Sequence, residues 1–271
     1  MKKLILGAVL VFLVMTGRSQ DFEGSIKMTT KLDVTDPQTK AKMDDAKKKA
    51  NDPANQAKVK EMQEKMNDPQ FKAMLDANPQ MKAQMEAMMK MITMGDPSAM
   101  LPTAIITKVK GMNSKTTIEG GLMDKTEVIR YGDKDEAYTI NHNAKTFTLM
   151  PKNEPESQHK PKVTKTSETA KIMNYNCTKY IIENTTNDGK TVTTNYWTTT
   201  EVKGVDFRSV AKKLMGNDPS FAFPDIPGAP MKIETALPQM GTITVETVEI
   251  KKGSIAESEF KIPSGYTEAK M

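Results

Sequence analysis

Two hydrophobic patterns divide this chain, one typical of β-strands and one typical of α-helices. Alternating apolar and β-branched residues near the N-terminus predict a first strand over 22–32. Helical spacing follows as far as Met100, and strand spacing returns from Thr103. Turn residues such as Gly120-Gly121 separate the later segments, which predicts hairpin-connected antiparallel strands and one helix over 205–215. The later predicted strands are 103–110, 115–119, 126–131, 136–140, 146–149, 163–172, 177–183, 192–199, 231–236 and 242–251.

The block at residues 35–100 holds half of the chain's 22 methionines and predicts several short helices. At five places Asp or Asn precedes proline, which is a helix start signal: the polar side chain caps free N–H groups and proline fits the first turn. The five pairs are Asp36-Pro37, Asp52-Pro53, Asp68-Pro69, Asn78-Pro79 and Asp96-Pro97. Methionine is flexible and polarizable, so the apolar stripes of this block favour binding over chemistry. The predicted ligand-binding side chains of this block are Phe71, Met81, Met85, Met88, Met89, Met91 and Ile92.

The first 19 residues are typical of a secretory signal peptide. Lys2-Lys3 precede an apolar run of roughly 12 residues, and small residues follow at Gly17 and Ser19. The run is shorter than the roughly 20 residues that a membrane-spanning helix needs, and no cysteine lies near the cleavage point. We therefore expect a periplasmic or secreted protein with no membrane span after cleavage and no lipid anchor. Removing Lys2, Lys3 and Arg18 lowers the net charge from +5 to +2, which argues against nucleic-acid binding.

Signatures of enzymes and of cofactor sites are mostly missing from the sequence. The two histidines, His142 and His159, have no evident nucleophile nearby in the sequence, and both are interpreted as surface residues. The lone cysteine, Cys177, is predicted to be a small buried residue on a strand. We predict no catalytic residues, no cofactor and no metal site. A minor alternative is Cu(I) binding by the Met-x-x-Met series that begins at Met85, but steps of three residues spread such side chains around a helix.

The segment 171–180, KIMNYNCTKY, followed by Tyr196-Trp197, resembles an exported bacterial family, domain of unknown function 4412. The opening Phe22-Glu23-Gly24 and the closing segment 260–266, FKIPSGY, are similar to the ends of that family, and the likeness leaves out the helical block. The resemblance implies a curved antiparallel sheet like that of the periplasmic lipoprotein carriers (LolA-like), which hold acyl chains in an apolar concavity beneath helices. It implies no catalytic residues. Trp197, Tyr175 and Tyr180 would line such a concavity, or pack in the core.

Together these observations predict an α+β protein, mainly an antiparallel curved sheet or half-barrel. Its β domain would comprise residues 20–34 and 101–271, with a Met-rich helical insertion at 35–100. The predicted function is non-enzymatic binding of a hydrophobic small molecule or lipid in the concave sheet, with the helices as a lid. The alternative is a protein–protein interaction or chaperone-like module, because 67–81 resembles the aspartate-proline repeats of stress-inducible co-chaperones, which bind apolar client segments. A third interpretation is that the insertion only covers the sheet.

Overall fold

The computed structural model describes residues 22–77, 81, 85, 89, 97–121, 123–142, 144–150, 161–185, 189–202, 226–237 and 241–269. Within these ranges the chain forms one curved, unclosed β-sheet with helices after the first strand, which confirms the predicted α+β class. The strands are β1 Gly24–Asp33, β2 Ala104–Lys110, β3 Asn113–Glu119, β4 Thr126–Tyr131, β5 Glu136–Asn141, β6 Thr146–Leu149, β7 Lys162–Ile172, β8 Tyr175–Thr185, β9 Thr191–Thr199, β10 Ala229–Leu237, β11 Gly241–Lys252 and β12 Thr267–Glu268.

Two meanders lie on either side of β1 in this sheet. The strand order is β12-β6-β5-β4-β3-β2-β1-β11-β10-β9-β8-β7. Neighbours in the sheet are antiparallel except for β12, which runs parallel to β6. The first strand therefore pairs with β2 on one side and with β11, late in the chain, on the other. This central position of β1 makes the two halves of the chain one sheet.

Each strand predicted from hydrophobic alternation coincides with one of β1 to β11 to within a few residues. Strand β12 was not predicted from the sequence. That strand has two exposed residues, Thr267 and Glu268, and it exists because the chain end lies beside β6, so no local pattern marks it. Cys177 is buried on β8 as predicted. Burial raises the pKa of its thiol, which makes it a poor nucleophile.

In the continuously described range 34–77, β1 is followed by three helices: α1 Pro37–Asn51, α2 Pro53–Met66 and α3 Pro69–Ala77. The Asp-Pro pairs start them as predicted. Asp36 accepts a hydrogen bond from the Thr39 N–H at 2.7 Å, and Asp52 and Asp68 accept bonds from the first turns of α2 and α3. No helix among the described residues is long and apolar enough to cross a membrane. The helix predicted over 205–215 lies outside the described residues.

Candidate functional site

One face of the curved sheet, which we call the inner face, carries a cluster of buried apolar side chains where β1 begins. Its members include Ile26 and Met28 on β1 and Val109 on β2. The cluster also includes Val202, just after β9, and Ala229, at the start of β10, and Tyr175 at the start of β8 packs against it. This cluster thus extends over several strands of the curved, unclosed sheet.

A second cluster lies on the inner face of the β8–β9 pair. Tyr180, Ile182 and Tyr196 are buried there, and burial raises the pKa of the Tyr196 hydroxyl because a phenolate is disfavoured away from water. Ile233 on β10 packs against this cluster. Ile233 is also paired across the sheet with Val245 on β11, which packs against the first cluster. The two clusters thus form one continuous apolar surface.

The middle of this surface is only half-buried, and we call this region the central patch. It consists of Leu32, Ile105, Ile233, Ile243 and Val245, on the four neighbouring strands β2, β1, β11 and β10. The register places Leu32 opposite Ile243 and Ile233 opposite Val245, so these side chains are direct neighbours. Around the patch the inner-face positions of these strands carry no charged side chain; they are Ile26, Met28, Thr30, Leu32, Ile105, Thr107, Ile233, Thr235, Ile243, Val245 and Thr247. The charged Lys252 lies beyond them, at the other end of β11 and opposite Gly24.

The helical insertion leaves and rejoins the sheet at one end of the central patch. β1 ends at Asp33 and its neighbour β2 begins at Ala104, so residues 34–103 connect two adjacent antiparallel strands at the same rim. Two glycines with positive φ lie against these connections. A Cβ at Gly241 would lie 2.0 Å from the Asp33 carbonyl oxygen, and one at Gly121 would lie 2.5 Å from the Met100 carbonyl oxygen. These close backbone contacts fix both ends of the insertion.

The predicted methionine face of the insertion is described at three positions, and the residues there are helical. Met89 is buried, and Met81 and Met85 are half-buried. Phe71 on α3 is also half-buried, next to a buried Leu75. The other predicted residues, Met88, Met91 and Ile92, lie outside the described residues, as do the rest of the Met-x-x-Met series. The burial of Met89 and Leu75 indicates that this side of the helices packs against other parts of the protein.

Trp197 lies on the outer face of the sheet. On β9 its neighbour Tyr196 is paired with Tyr180, whereas Trp197 itself is paired with Lys179 and with Lys232. Since adjacent residues of a strand point to opposite faces, Trp197 is on the side opposite the Tyr180–Tyr196 cluster. The Lys179 ammonium lies 5.6 Å from the ring centroid, a cation–π distance. We therefore do not include Trp197 in the ligand-facing surface.

The outer face of β3 to β6 is covered by residues 253–269, which we call the C-terminal strap. Phe260 of the strap is 2% exposed and packs on Ile129 and Ile140, whose positions in β4 and β5 face away from the inner surface. The Tyr131 hydroxyl donates a hydrogen bond to the Phe260 carbonyl. Glu23, before β1, accepts a 2.7 Å bond from the Ile255 N–H, which lowers the pKa of that carboxyl. Apolar and polar contacts together hold the strap on the sheet.

A charged network joins the C-terminal part of the strap, at Tyr266, to strands β3 and β4 and to the end of β5. The Glu127 side chain is 12% exposed; its carboxylate lies 3.1 Å from the Lys115 ammonium and 2.9 Å from His142 Nε2. His142 Nδ1 lies 2.8 Å from the hydroxyl of Tyr266 in the strap. Burial by itself would raise the pKa of Glu127, but the hydrogen bond and charge of Lys115, together with the hydrogen bonds of His142 and Thr117, outweigh it and lower the pKa.

This network was not predicted from the sequence, because Glu127, His142 and Tyr266 are far apart in the chain and share no motif. Carboxylate, imidazole and hydroxyl stand here in the order of a nucleophilic triad. However, each polar atom already has a partner that belongs to the sheet or the strap, so the arrangement closes a structural contact. Among the described residues no group of three His, Cys, Asp or Glu side chains could hold a metal ion.

Comparison with known proteins shows which family and which solved structures the chain is similar to. The model of a family described as "Domain of unknown function (DUF4412)" matches residues 88–266, so β1 and α1 to α3 lie outside the match. No curated protein matches the chain. Among solved structures, one described as "Structure of PNGF-II in C2 space group" is similar at 20% identity and a TM-score of 0.38, over 61% of this chain. This chain spans 28% of that protein's length, and so distant a similarity does not bear on function.

Proposed function

We propose that this chain, which belongs to the DUF4412 family of unknown function, is a non-enzymatic binding protein, and that its inner face is the concave side of the curved sheet and holds a hydrophobic ligand. The observation that supports this proposal most is the continuous, uncharged apolar surface with the half-buried central patch in its middle. A sheet face that served only as core would bury such a patch fully, whereas a ligand site needs apolar surface that stays reachable. The proposed class of ligand is a lipid or acyl chain, as in LolA-like carriers.

In this proposal the helical insertion covers the ligand. Both of its ends lie at the rim next to Leu32 and Ile243, where a ligand on the central patch would enter. The close contacts of Gly121 and Gly241 hold those ends in place. Opening would therefore take place within the helices and not at their connections to β1 and β2.

A pair of neighbouring substitutions tests the binding surface. Val245→Lys places an ammonium on the central patch, where burial without a partner is costly, and we expect loss of binding of the neutral dye Nile red. Thr244→Lys is the matched control, because Thr244 is the adjacent residue of β11 and faces the opposite side. Thermal unfolding of both variants checks that they fold. Equal dye binding by the two folded variants would contradict an inner-face site.

The ligand itself can be sought without choosing a candidate. The protein, purified gently from cells, is analysed by native mass spectrometry, and we expect a bound lipid-sized mass that organic extraction removes. The proposal fails if no lipid is bound and Nile red is not taken up. The same spectra test the proposed export, since removal of residues 1–19 leaves a protein that begins at Gln20.

A second candidate function, capture of an apolar protein segment by the insertion, rests on a different observation. Met74 on α3 is 45% exposed and lies close in sequence to the half-buried Phe71, so this helix presents apolar surface to solvent. Replacing residues 34–103 by a short turn joins β1 to β2 as an ordinary hairpin and separates the two functions. Nile red binding that survives this deletion, together with loss of a bound amphipathic peptide, would favour the second function. Loss of dye binding in a folded deletion variant favours the lid.

A further inference from the structure

One buried hydroxyl on the inner face has no hydrogen-bond partner. Thr30 Oγ1 is shielded from solvent and unbonded, and Thr30 faces inward between Met28 and Leu32 on β1. It is paired with Val245 of the central patch. The other unbonded atom of this kind among the described residues, Asn113 Oδ1, lies at the end of β3 beside the exposed Met112. Thr30 alone of the two lies on the proposed ligand surface.

Other threonines of the inner face show how this sheet normally satisfies such groups. The hydroxyls of Thr107 and Thr116 are hydrogen-bonded to each other at 3.0 Å, and those of Thr194 and Thr235 at 3.1 Å. A buried hydroxyl without a partner loses its bonds to water and gains none in return. The exception at Thr30 is therefore destabilising in the unliganded protein, and a ligand atom that bonds to it would remove the penalty.

The geometry of Thr30 allows a ligand to reach this hydroxyl. The residue as a whole is half-buried although its oxygen is shielded, so another part of it borders open space. A rotation of 120° about χ1 moves the hydroxyl to a different staggered position while the backbone of β1 stays in the sheet. The inner-face positions of the strands around Thr30 carry no charge, as shown above, so a bound ionised head group would be buried without a counter-charge.

We infer that the ligand is a neutral amphiphile, an aliphatic chain with an ester, amide or alcohol group, and that this group hydrogen-bonds to Thr30. The inference rests on the proposed function and narrows its ligand class. Alkanes lack the hydrogen-bonding group, and ionised fatty acids bring a charge that this face does not neutralise. A neutral polar group next to an apolar chain matches one hydroxyl surrounded by Met28, Leu32 and Val245.

The test compares three ligands of equal chain length that displace Nile red: a fatty-acid methyl ester, the ionised fatty acid and the alkane. We expect the ester to bind wild type about five- to tenfold tighter than the alkane, and the fatty acid more weakly than the ester. Thr30→Val keeps the shape of the side chain and removes the hydroxyl, so ester and alkane should then bind equally. Thr30→Ser keeps the hydroxyl and should restore the preference.

The control is Thr116→Val, which removes a hydroxyl that already has a partner on the same face. It should keep the preference for the ester. The inference is overturned if wild type binds all three ligands equally, if the fatty acid binds tightest, or if Thr30→Val keeps the ester preference. In those cases Nile red still binds, and the proposed function stands. Absence of dye and ligand binding by wild type overturns both.

Discussion

The inner and outer faces of the sheet differ in whether their polar side chains have hydrogen-bond or ion-pair partners. On β3, Thr116 points inward and shares a hydrogen bond with Thr107, whereas its neighbour Lys115 points outward to Glu127. The inner face is uncharged around the central patch, and its hydroxyl at Thr30 is unbonded. The outer face of β3 to β6 is closed by the strap and by ion pairs. The alternation of side chains along the strands thus produces an outer face whose polar groups have partners and an inner face that keeps an unbonded hydroxyl.

This difference separates stability from binding. The strap and its partners already satisfy one another, so the outer face contributes to the free energy of unfolding and has no vacancy for a ligand. Several of its ion pairs, such as Lys110 with Glu257, are partly exposed and contribute little individually. Phe260 and the apolar residues beneath it contribute most. The inner face, by contrast, gains further stabilising contacts only when a ligand occupies the central patch.

Among the tests of this separation between stability and binding, Phe260→Ala has the largest expected effect. It removes a fully buried aromatic ring between strap and sheet, and we expect a loss of about 3–5 kcal/mol in the free energy of unfolding, measured by urea denaturation. The affinity of the folded variant for Nile red should not change, because the ring packs on the outer face. Lys261→Ala, at the exposed neighbouring position, is the control and should cost little. A large drop in dye affinity without unfolding would mean that the two faces are coupled.

Glu127→Gln tests the charged network, and its expected effect on stability is smaller than that of Phe260→Ala. The folded state lowers the pKa of Glu127, so its carboxylate contributes stability that is present above the unfolded value of about 4.3 and is lost as pH falls through the lower folded value. At pH 7 we expect the variant to lose about 1–3 kcal/mol, because Lys115 is left with a weaker partner.

Urea unfolding at several pH values gives the sign of the Glu127 effect. The stability difference between wild type and Glu127→Gln should shrink as the solution is acidified below about pH 4, where the wild-type carboxyl becomes neutral too. Glu257→Gln is the control, since its side chain is 67% exposed and its pair with Lys110 is screened by water. A difference that stays constant down to acid pH would show that charge is not the cause.

Local chemistry was sufficient to predict strands β1 to β11 and the starts of helices α1 to α3. The Asp-Pro pairs start helices because capping and the first helical turn need only neighbouring residues, and alternation places β1 to β11 because one side of each strand is more buried. The order of the strands was not predictable in this way. The pairing of β1 with β11 joins residues such as Ile26 and Ile250, and no short pattern records it.

The candidate site was less predictable than the fold, for the same reason. Trp197 was predicted from the family resemblance to line the concavity, or else to pack in the core, but the side it faces depends on strand register, which a pattern of period two does not fix. Thr30 reads as an ordinary strand residue, and its unbonded hydroxyl is evident only when its neighbours in space are known. His142 was interpreted as a surface residue because its partners, Glu127 and Tyr266, are distant in sequence.

The smallest predicted effects have opposite signs on the two faces. Tyr266→Phe removes a hydroxyl that is bonded to His142 on the outer face, and we expect it to lower the free energy of unfolding by about 1 kcal/mol. Thr30→Val removes the unbonded hydroxyl of the inner face, so the ligand-free protein should become more stable by a similar amount, about 1 kcal/mol. Both are measured by urea denaturation of delipidated protein, with Thr116→Val as a destabilising reference. A loss of stability in Thr30→Val would mean that the Thr30 hydroxyl has a hydrogen-bond partner without any ligand. The two faces would then not differ in whether their polar groups are hydrogen-bonded.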